Sequence, residues 1–391
     1  MRELFLLDPD IVFLNHGSFG ACPRPVFEAY QRWQRQLEWQ PVAFIGRQAD
    51  GFLDAARSEL AAYLGVPSDD VVFVPNATSG LNVVARSLPL ANGDEVLTTD
   101  LEYGALDHTW EHVCRKAGAR YVKQVVPIPV DDPATTVEAI WAGVTPRTKV
   151  LFLSHITSGT ALTLPVAELC RRARAAGILS VIDGAHAPGQ IPLDLAAVGA
   201  DLYAGNCHKW LCAPKGAAFL HVRPEHQAWV ESLIVSWGWV EGSTSHRPDQ
   251  GLVSRNQYQG TSDPAAYLTV PAAIRFQAEH DWPTVRAGCH ALAVEARARL
   301  AELTGLPPIA PEPAATPGGY AWFSQMVAAP LPPIDALALK LRLYDEHRIE
   351  VPITHHGDRQ FVRASFQGYT TRAELDALLV ALTRLLPEVA A

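Results

Sequence analysis

Between residues 71 and 222, short apolar runs alternate with longer amphipathic stretches. Residues 71–74, 95–98, 121–126, 150–153, 178–182, 202–204 and 217–222 read as strands. Residues 80–88, 105–116, 136–142 and 166–176 read as helices, the last closed by Gly177. Strands joined by helices of this length imply a large α/β unit with a mostly parallel seven-stranded sheet, covered on both faces.

In such a sheet, ligands sit beyond the carboxyl ends of the strands. Val181-Ile182-Asp183-Gly184-Ala185-His186, and Asn206-Cys207-His208-Lys209-Trp210 behind the apolar run 202–204, both turn polar where a strand emerges. An acid, Asp183, and an amine, Lys209, therefore reach one rim. Taken singly, a loop lysine is usually a solvated charge, and an aspartate at a strand end is commonly a cap or turn residue. Together they are the pair that pyridoxal 5′-phosphate (PLP) chemistry needs. The lysine forms a Schiff base, and the carboxylate keeps the pyridine nitrogen protonated.

Other segments supply the remaining parts of such a site. Pro75-Asn76-Ala77-Thr78-Ser79-Gly80 follows a strand and opens a helix. The first amides of a helix lack internal acceptors and attract phosphate, although a plain N-cap at Asn76 or Thr78 explains the segment equally well. His208 is a second phosphate donor or a structural histidine. Tyr103 ends the next strand and can stack on a planar ring, or sit half-buried at a helix start. The hydroxyls of Ser154-His155-Ile156-Thr157-Ser158-Gly159-Thr160, or His186, can meet the cofactor's phenolic oxygen. Arg363 lies in the apolar run Phe361-Val362-Arg363-Ala364-Ser365-Phe366. A buried arginine needs an anion, and its fork matches a carboxylate. The alternative is an internal salt bridge.

After residue 262 the pattern becomes α+β. Residues 265–280 and 284–304 read as helices, 306–319 as a loop, 320–327 as a strand, 334–347 as a helix, 361–365 as a strand and 372–386 as a last amphipathic helix. Residues 27–64 read as helical. The expected division is an N-terminal segment, 1–25, joining a small C-terminal domain, 263–391, with the large cofactor-binding domain at 26–262.

A formal charge of −9 without a Lys/Arg-rich run argues against nucleic acid as a partner. No apolar run approaches the roughly 18 residues that span a bilayer, and Asp8 and Asp10 interrupt the short apolar start that a signal peptide would need. The six cysteines are scattered without C-x-x-C spacing. They read as reduced thiols of a cytoplasmic protein, with neither a disulfide framework nor a metal site.

The ordered motifs resemble those of the class V aminotransferase superfamily, PLP enzymes of the aspartate aminotransferase-like fold (fold type I) that include cysteine desulfurases. The isopenicillin N epimerase-like branch is the nearest likeness. The resemblance rests on Phe13-Leu14-Asn15-His16-Gly17-Ser18-Phe19-Gly20, Asn76-Ala77-Thr78, Glu102-Tyr103-Gly104-Ala105, Ser154-His155-Ile156-Thr157-Ser158-Gly159, Asp183-Gly184-Ala185-His186, His208-Lys209-Trp210, Gly260-Thr261 and Arg363-Ala364-Ser365. It implies Lys209 as the Schiff-base lysine, Asp183 on the pyridine nitrogen and Tyr103 on the ring. Ala77, Thr78 and His208 would cradle the phosphate, and Ser158 and His186 would flank the phenolic oxygen. Asn206 stands where relatives often carry Ser or Thr. Thr261 matches a phosphate contact given by the other subunit of a homodimer with composite sites. Arg363 matches the clamp on an amino-acid-like substrate's carboxylate, and Asn15, His16 and Arg47 match positions lining the substrate pocket.

Cysteine desulfurases carry a nucleophilic cysteine shortly before that arginine. Here the segment is Pro352-Ile353-Thr354-His355-His356-Gly357-Asp358-Arg359, with no cysteine. A persulfide-forming desulfurase is therefore not expected. The resemblance implies epimerisation or racemisation at an amino-acid α-carbon, with a C–S lyase acting by β-elimination, or an aminotransferase of the same fold, as the alternatives. A catalytically silent protein of this fold with a binding or regulatory role is the remaining reading, against which the intact Lys209, Asp183 and Arg363 argue.

Overall fold

The computed structural model of the chain describes residues 1–239 and 251–390. A two-residue strand, β1 (Val12–Phe13), opens it. The large sheet follows, as β2 (Val71–Val74), β3 (Glu95–Thr99), β4 (Arg120–Gln124), β5 (Thr148–Ser154), β6 (Leu179–Asp183), β7 (Leu202–Asn206) and β8 (Ala218–Val222). Its spatial order is β2-β8-β7-β6-β5-β3-β4. Only β8 runs against its neighbours, so the remaining strands share one direction.

Side chains alternate across a strand, and here both faces are apolar. Leu151 and Leu153 of β5 point into one core, while Val150 and Phe152 point into the other. Burial on both sides is what a parallel sheet between helical layers requires. The helix after β2 runs Ala77–Ser87, begun by the Asn76 side chain, which accepts from the Ser79 amide at 2.8 Å.

The C-terminal part adds β9 (Met326–Leu331), β10 (Ile349–Glu350), β11 (Ile353–His356) and β12 (Arg359–Ser365). β12 is the centre of an antiparallel sheet ordered β11-β12-β9. β1 pairs in parallel with β10. The Ser365 amide donates to the Leu14 carbonyl at 2.8 Å. The N-terminal segment is thus tied to the C-terminal strands before it crosses to the large sheet. At the crossing Gly20 has φ +72°, and a Cβ there would collide with the His208 carbonyl, so only glycine allows the approach.

Several expected elements shift. The strand expected at 320–327 forms later, at Met326–Leu331, and runs through Pro330. β9 is an edge strand, where a missing N–H is tolerated. Tyr320 and Trp322 instead bind Thr163 of the large unit. The expected helix at 265–280 is two helices, Ala265–Leu268 and Val270–Glu279, separated at Thr269, whose hydroxyl bonds back to the Ala265 carbonyl. The region 27–64 is likewise interrupted between Arg24–Trp39 and Ala49–Leu64, where Pro41 and a short π-helix, Phe44–Gln48, intervene.

Candidate active site

The parallel strands of the large sheet end along one edge. The segments leaving β2, β3, β5, β6 and β7 wall a cavity of about 660 Å³. Ala77 and Thr78 line it from the first segment, Tyr103 from the second and Ser158 from the third. Asp183 and His186 follow from the fourth, then Asn206, His208 and Lys209 from the fifth. Ser18 and Phe19 reach the same cavity from the N-terminal crossing. One sheet edge thus gathers residues from Ala77 to Lys209.

Asp183 is only 4% exposed, and its Oδ1 accepts from the Ala185 amide at 2.9 Å. Burial raises its pKa to about 6, against that hydrogen bond and the nearby charge of Lys209. For Lys209, lost solvation depresses the amine to about 8; Asp183 opposes this and Arg363 adds to it. Lys209 Nζ lies 3.2 Å from His186 Nε2. Tyr103 keeps 46% exposure and Phe19 72%, two aromatic faces left open on the cavity.

Asn206 does more than line the wall. Its Oδ1 accepts from the Ala77 amide at 2.8 Å, deep against the helix start. Ser79 is held by Asn76, which leaves the Thr78 amide and hydroxyl without a protein partner among the described residues. His208 Nδ1 meets the Ala217 carbonyl at 2.9 Å, and burial lowers its pKa to about 4.

Arg363, on β12, stands behind Ser158 and Ser18. One nitrogen donates to the Ser158 carbonyl at 2.7 Å, the other to Ser18 Oγ at 3.0 Å and Asn15 Oδ1 at 3.4 Å. The residue is 4% exposed, and its Nε has no partner. Among the described residues no carboxylate forms an ion pair with it. Desolvation lowers its pKa to about 10. A buried guanidinium held only by neutral groups suits an anion, and the internal salt bridge weighed from the sequence is absent among the described residues.

Three other expected residues stand elsewhere. His16 is fully buried, with Nδ1 at 3.0 Å from the Tyr369 hydroxyl and Nε2 at 3.0 Å from the Lys209 carbonyl. Burial drives its pKa down to about 3. It supports the lysine's backbone and does not line the cavity. Arg47 and Thr261 are exposed and do not line the cavity. Asn15 is joined to the site through Arg363 and Ser18, and its Nδ2 donates to Glu350 at 2.9 Å.

Sequence reasoning passed over Ser18, Phe19, Glu102 and Trp210, although all four lie within the motifs that carried the resemblance. Glu102 accepts from Ser154 N, Ser154 Oγ and Thr99 Oγ1 at 2.6–2.8 Å and so fixes the end of β5. Cys22 is half-buried and the other five cysteines are buried; none is paired. Asp201, Glu225 and His226 come close together, but Asp201 is already engaged by Ser180 and Arg174. No helix among the described residues is long and apolar enough to cross a membrane.

The sequence profile of the family described as aminotransferase class-V matches residues 21–378. The chain belongs to the class-V aminotransferase family. An isopenicillin N epimerase of Amycolatopsis lactamdurans is 39% identical over 98% of this chain and 97% of its own. A putative L-cysteine desulfhydrase of Oryza sativa subsp. japonica is 29% identical over 97% of this chain and 86% of its own. The fold matches the crystal structure of the Escherichia coli cysteine desulfurase CsdA with a TM-score of 0.81 at 24% identity, over 100% of this chain and 98% of that one. The family and fold confirm the large, mostly parallel seven-stranded sheet expected of fold type I.

Class-V membership implies PLP as the cofactor. The residues present fit that group. The unpartnered Thr78 donors and His208 suit a phosphate, Asp183 suits a protonated ring nitrogen, and Lys209 stands beside it as the amine.

Proposed function

We propose that this chain is a PLP-dependent enzyme acting at the α-carbon of an amino acid or amino-acid-terminated substrate, with epimerisation or racemisation as its reaction. The observation that carries the reading is Arg363, a buried cation without a carboxylate partner beside the Lys209–Asp183 cavity. An α-carboxylate supplies the missing anion.

When bound, PLP supplies the electron sink for cleavage of a bond at the α-carbon. Asp183 is the group assigned to hold the ring nitrogen protonated. Thr78 and His208, with the Ala77 turn braced by Asn206, are assigned to the phosphate, and Ser158 and His186 to the phenolic oxygen. Arg363 orients the substrate. Lys209, whose depressed pKa keeps much of it neutral near pH 8, takes the α-proton. Inversion then needs an acid on the other face. Tyr103 lines the cavity from a different wall than Lys209, whereas His16 is sealed away and His356 is 3.4 Å from Asp100.

The desulfhydrase likeness favours β-elimination on a cysteine derivative as the second reading, and it too needs no cysteine nucleophile. Transamination is the third. Incubating the holoenzyme with amino acids in deuterated water decides among them. Racemised, α-deuterated substrate supports the first reading; pyruvate and sulfide support the second; an oxo acid with loss of the cofactor's aldehyde supports the third. No turnover of any kind sinks all three.

The same reading divides the chain into an N-terminal segment at 1–25, a large domain at 26–262 and a small domain at 263–391. It also makes the protein a homodimer with composite sites, in a cytoplasmic setting. Exposed Thr261 and Arg47, outside their own chain's cavity, are what a neighbour's site would draw on.

A further inference from the structure

Three motifs meet in one buried chain of contacts, in which Trp210 has no part in the reaction described above. The Trp210 indole N–H donates to His186 Nδ1 at 3.3 Å. On the other side of that ring, His186 Nε2 lies 3.2 Å from Lys209 Nζ. Trp210 is fully buried, its ring centroid is 4.9 Å from that of His16, and its carbonyl accepts from Gln277 at 2.8 Å.

An indole nitrogen only donates, so the Nδ1 it reaches must be an acceptor. A neutral imidazole then carries its one proton on Nε2. That N–H points at Lys209 and needs a lone pair there. A neutral amine offers one, whereas an ammonium would set hydrogen against hydrogen. We propose that Trp210 is a positioning residue, which locks His186 as the Nε2–H tautomer and so holds Lys209 as the neutral amine that cofactor capture and α-proton removal require. The proposal rests on the PLP reading above.

Burial keeps the ring neutral, pushing the pKa of His186 well down. The charged and titratable groups facing the pair are Asp183 from β6, which favours the ammonium, Arg363 from β12, which disfavours it, and His16 beneath the lysine backbone. Asp183 alone would hold the amine charged, and the Nε2–H donor works against it.

Capture of PLP by the apoenzyme is the readout. The Lys209 lone pair bonds to the aldehyde carbon, and the aldehyde oxygen leaves as water, so the rate follows the neutral amine. Trp210→Phe removes the indole donor and frees His186 to turn its acceptor toward an ammonium. The midpoint of capture against pH should rise by about one unit, about tenfold slower capture below it. His186→Gln, at a residue assigned to the cofactor, serves only to assign the histidine spectrum. In ¹⁵N-histidine-labelled wild-type apoenzyme, the His186 signal, assigned by its loss in His186→Gln, should show Nε2 protonated and Nδ1 bare. The opposite tautomer, or an unshifted midpoint in Trp210→Phe, overturns the proposal. The nitrogen spectrum decides even if Trp210→Phe does not fold. Wild-type protein that never captures PLP overturns the functional reading as well, whereas capture with an unshifted midpoint overturns this inference alone.

Discussion

Arg363 donates to the Ser158 carbonyl at 2.7 Å, which joins the central strand of the C-terminal sheet to the wall of the cavity. The contact satisfies part of the guanidinium and leaves its charge without a counter-ion. A substrate carboxylate arriving there would pair with a desolvated cation and pull the two units together around the reacting carbon, excluding water.

Removing that cation should cost about 2–5 kcal/mol of substrate binding. Arg363→Ala is therefore expected to raise KM steeply and lower kcat, with the bound cofactor's visible spectrum unchanged. Arg363→Lys should recover only part, since an ammonium cannot make the two-pronged contact. Steady-state kinetics with melting temperatures on both variants check this. Normal kinetics with a large loss of stability would assign Arg363 to structure.

Asp183→Asn keeps the shape of the site and the hydrogen bond from Ala185, yet cannot hold the ring nitrogen protonated. PLP should still bind, and exchange of the α-proton should slow by at least tenfold, about 1.4 kcal/mol. An unchanged exchange rate would separate Asp183 from the chemistry.

Asn206 braces the Ala77 amide at the start of the helix assigned to the phosphate. Asn206→Ala leaves that buried amide unpaired, at about 1–3 kcal/mol. The expected result is weaker retention of PLP during dialysis, with kcat nearly intact once the cofactor is saturating.

Acid should destabilise the apoenzyme. His155, His208 and His221 are held near a pKa of about 4 and His16 near about 3, each by burial. Their unfolded pKa is about 6.5. Between those values the unfolded chain binds more protons, so stability rises with pH and is lost as pH falls below about 6.5, by up to about 1.4 kcal/mol per pH unit for each group. His186, which burial also pushes well down, adds to these four; Asp183 and Glu102, raised by burial to about 6 and about 8, and Asp70, also raised by burial, act in the opposite sense, so three groups oppose five. Denaturant melts from pH 7 to pH 4 measure the slope.

The large sheet is legible because most of its strands are apolar runs joined by helices, whereas the reversed direction of β8 carries no sequence signal. That edge pairs Asp183 with Lys209, while Tyr103 and Thr78 have equally good structural readings and enter through the resemblance. The two-residue strands β1 and β10 carry no periodic signal, and their pairing depends on residues more than three hundred positions apart. β11 was hidden for a related reason: its four residues, Ile353-Thr354-His355-His356, are neither alternating nor apolar. His16 is expected in the pocket because the resemblance matches it to a position that lines the pocket. Only tertiary packing shows both ring nitrogens occupied. The bond from Trp210 to His186 joins side chains 24 positions apart, and no spacing rule announces it.

Lys209 is the group assigned to move the α-proton of an amino-acid substrate on a PLP scaffold. The direct measurement is deuterium incorporation at the α-carbon, by mass spectrometry and proton NMR, with PLP-loaded wild-type protein and PLP-supplemented, folded Lys209→Ala in deuterated water. Rapid incorporation by the wild type and none above background by Lys209→Ala is the predicted result. Equal incorporation by both proteins, or none by the wild type across a panel of amino acids and amino-acid-terminated peptides, would contradict it.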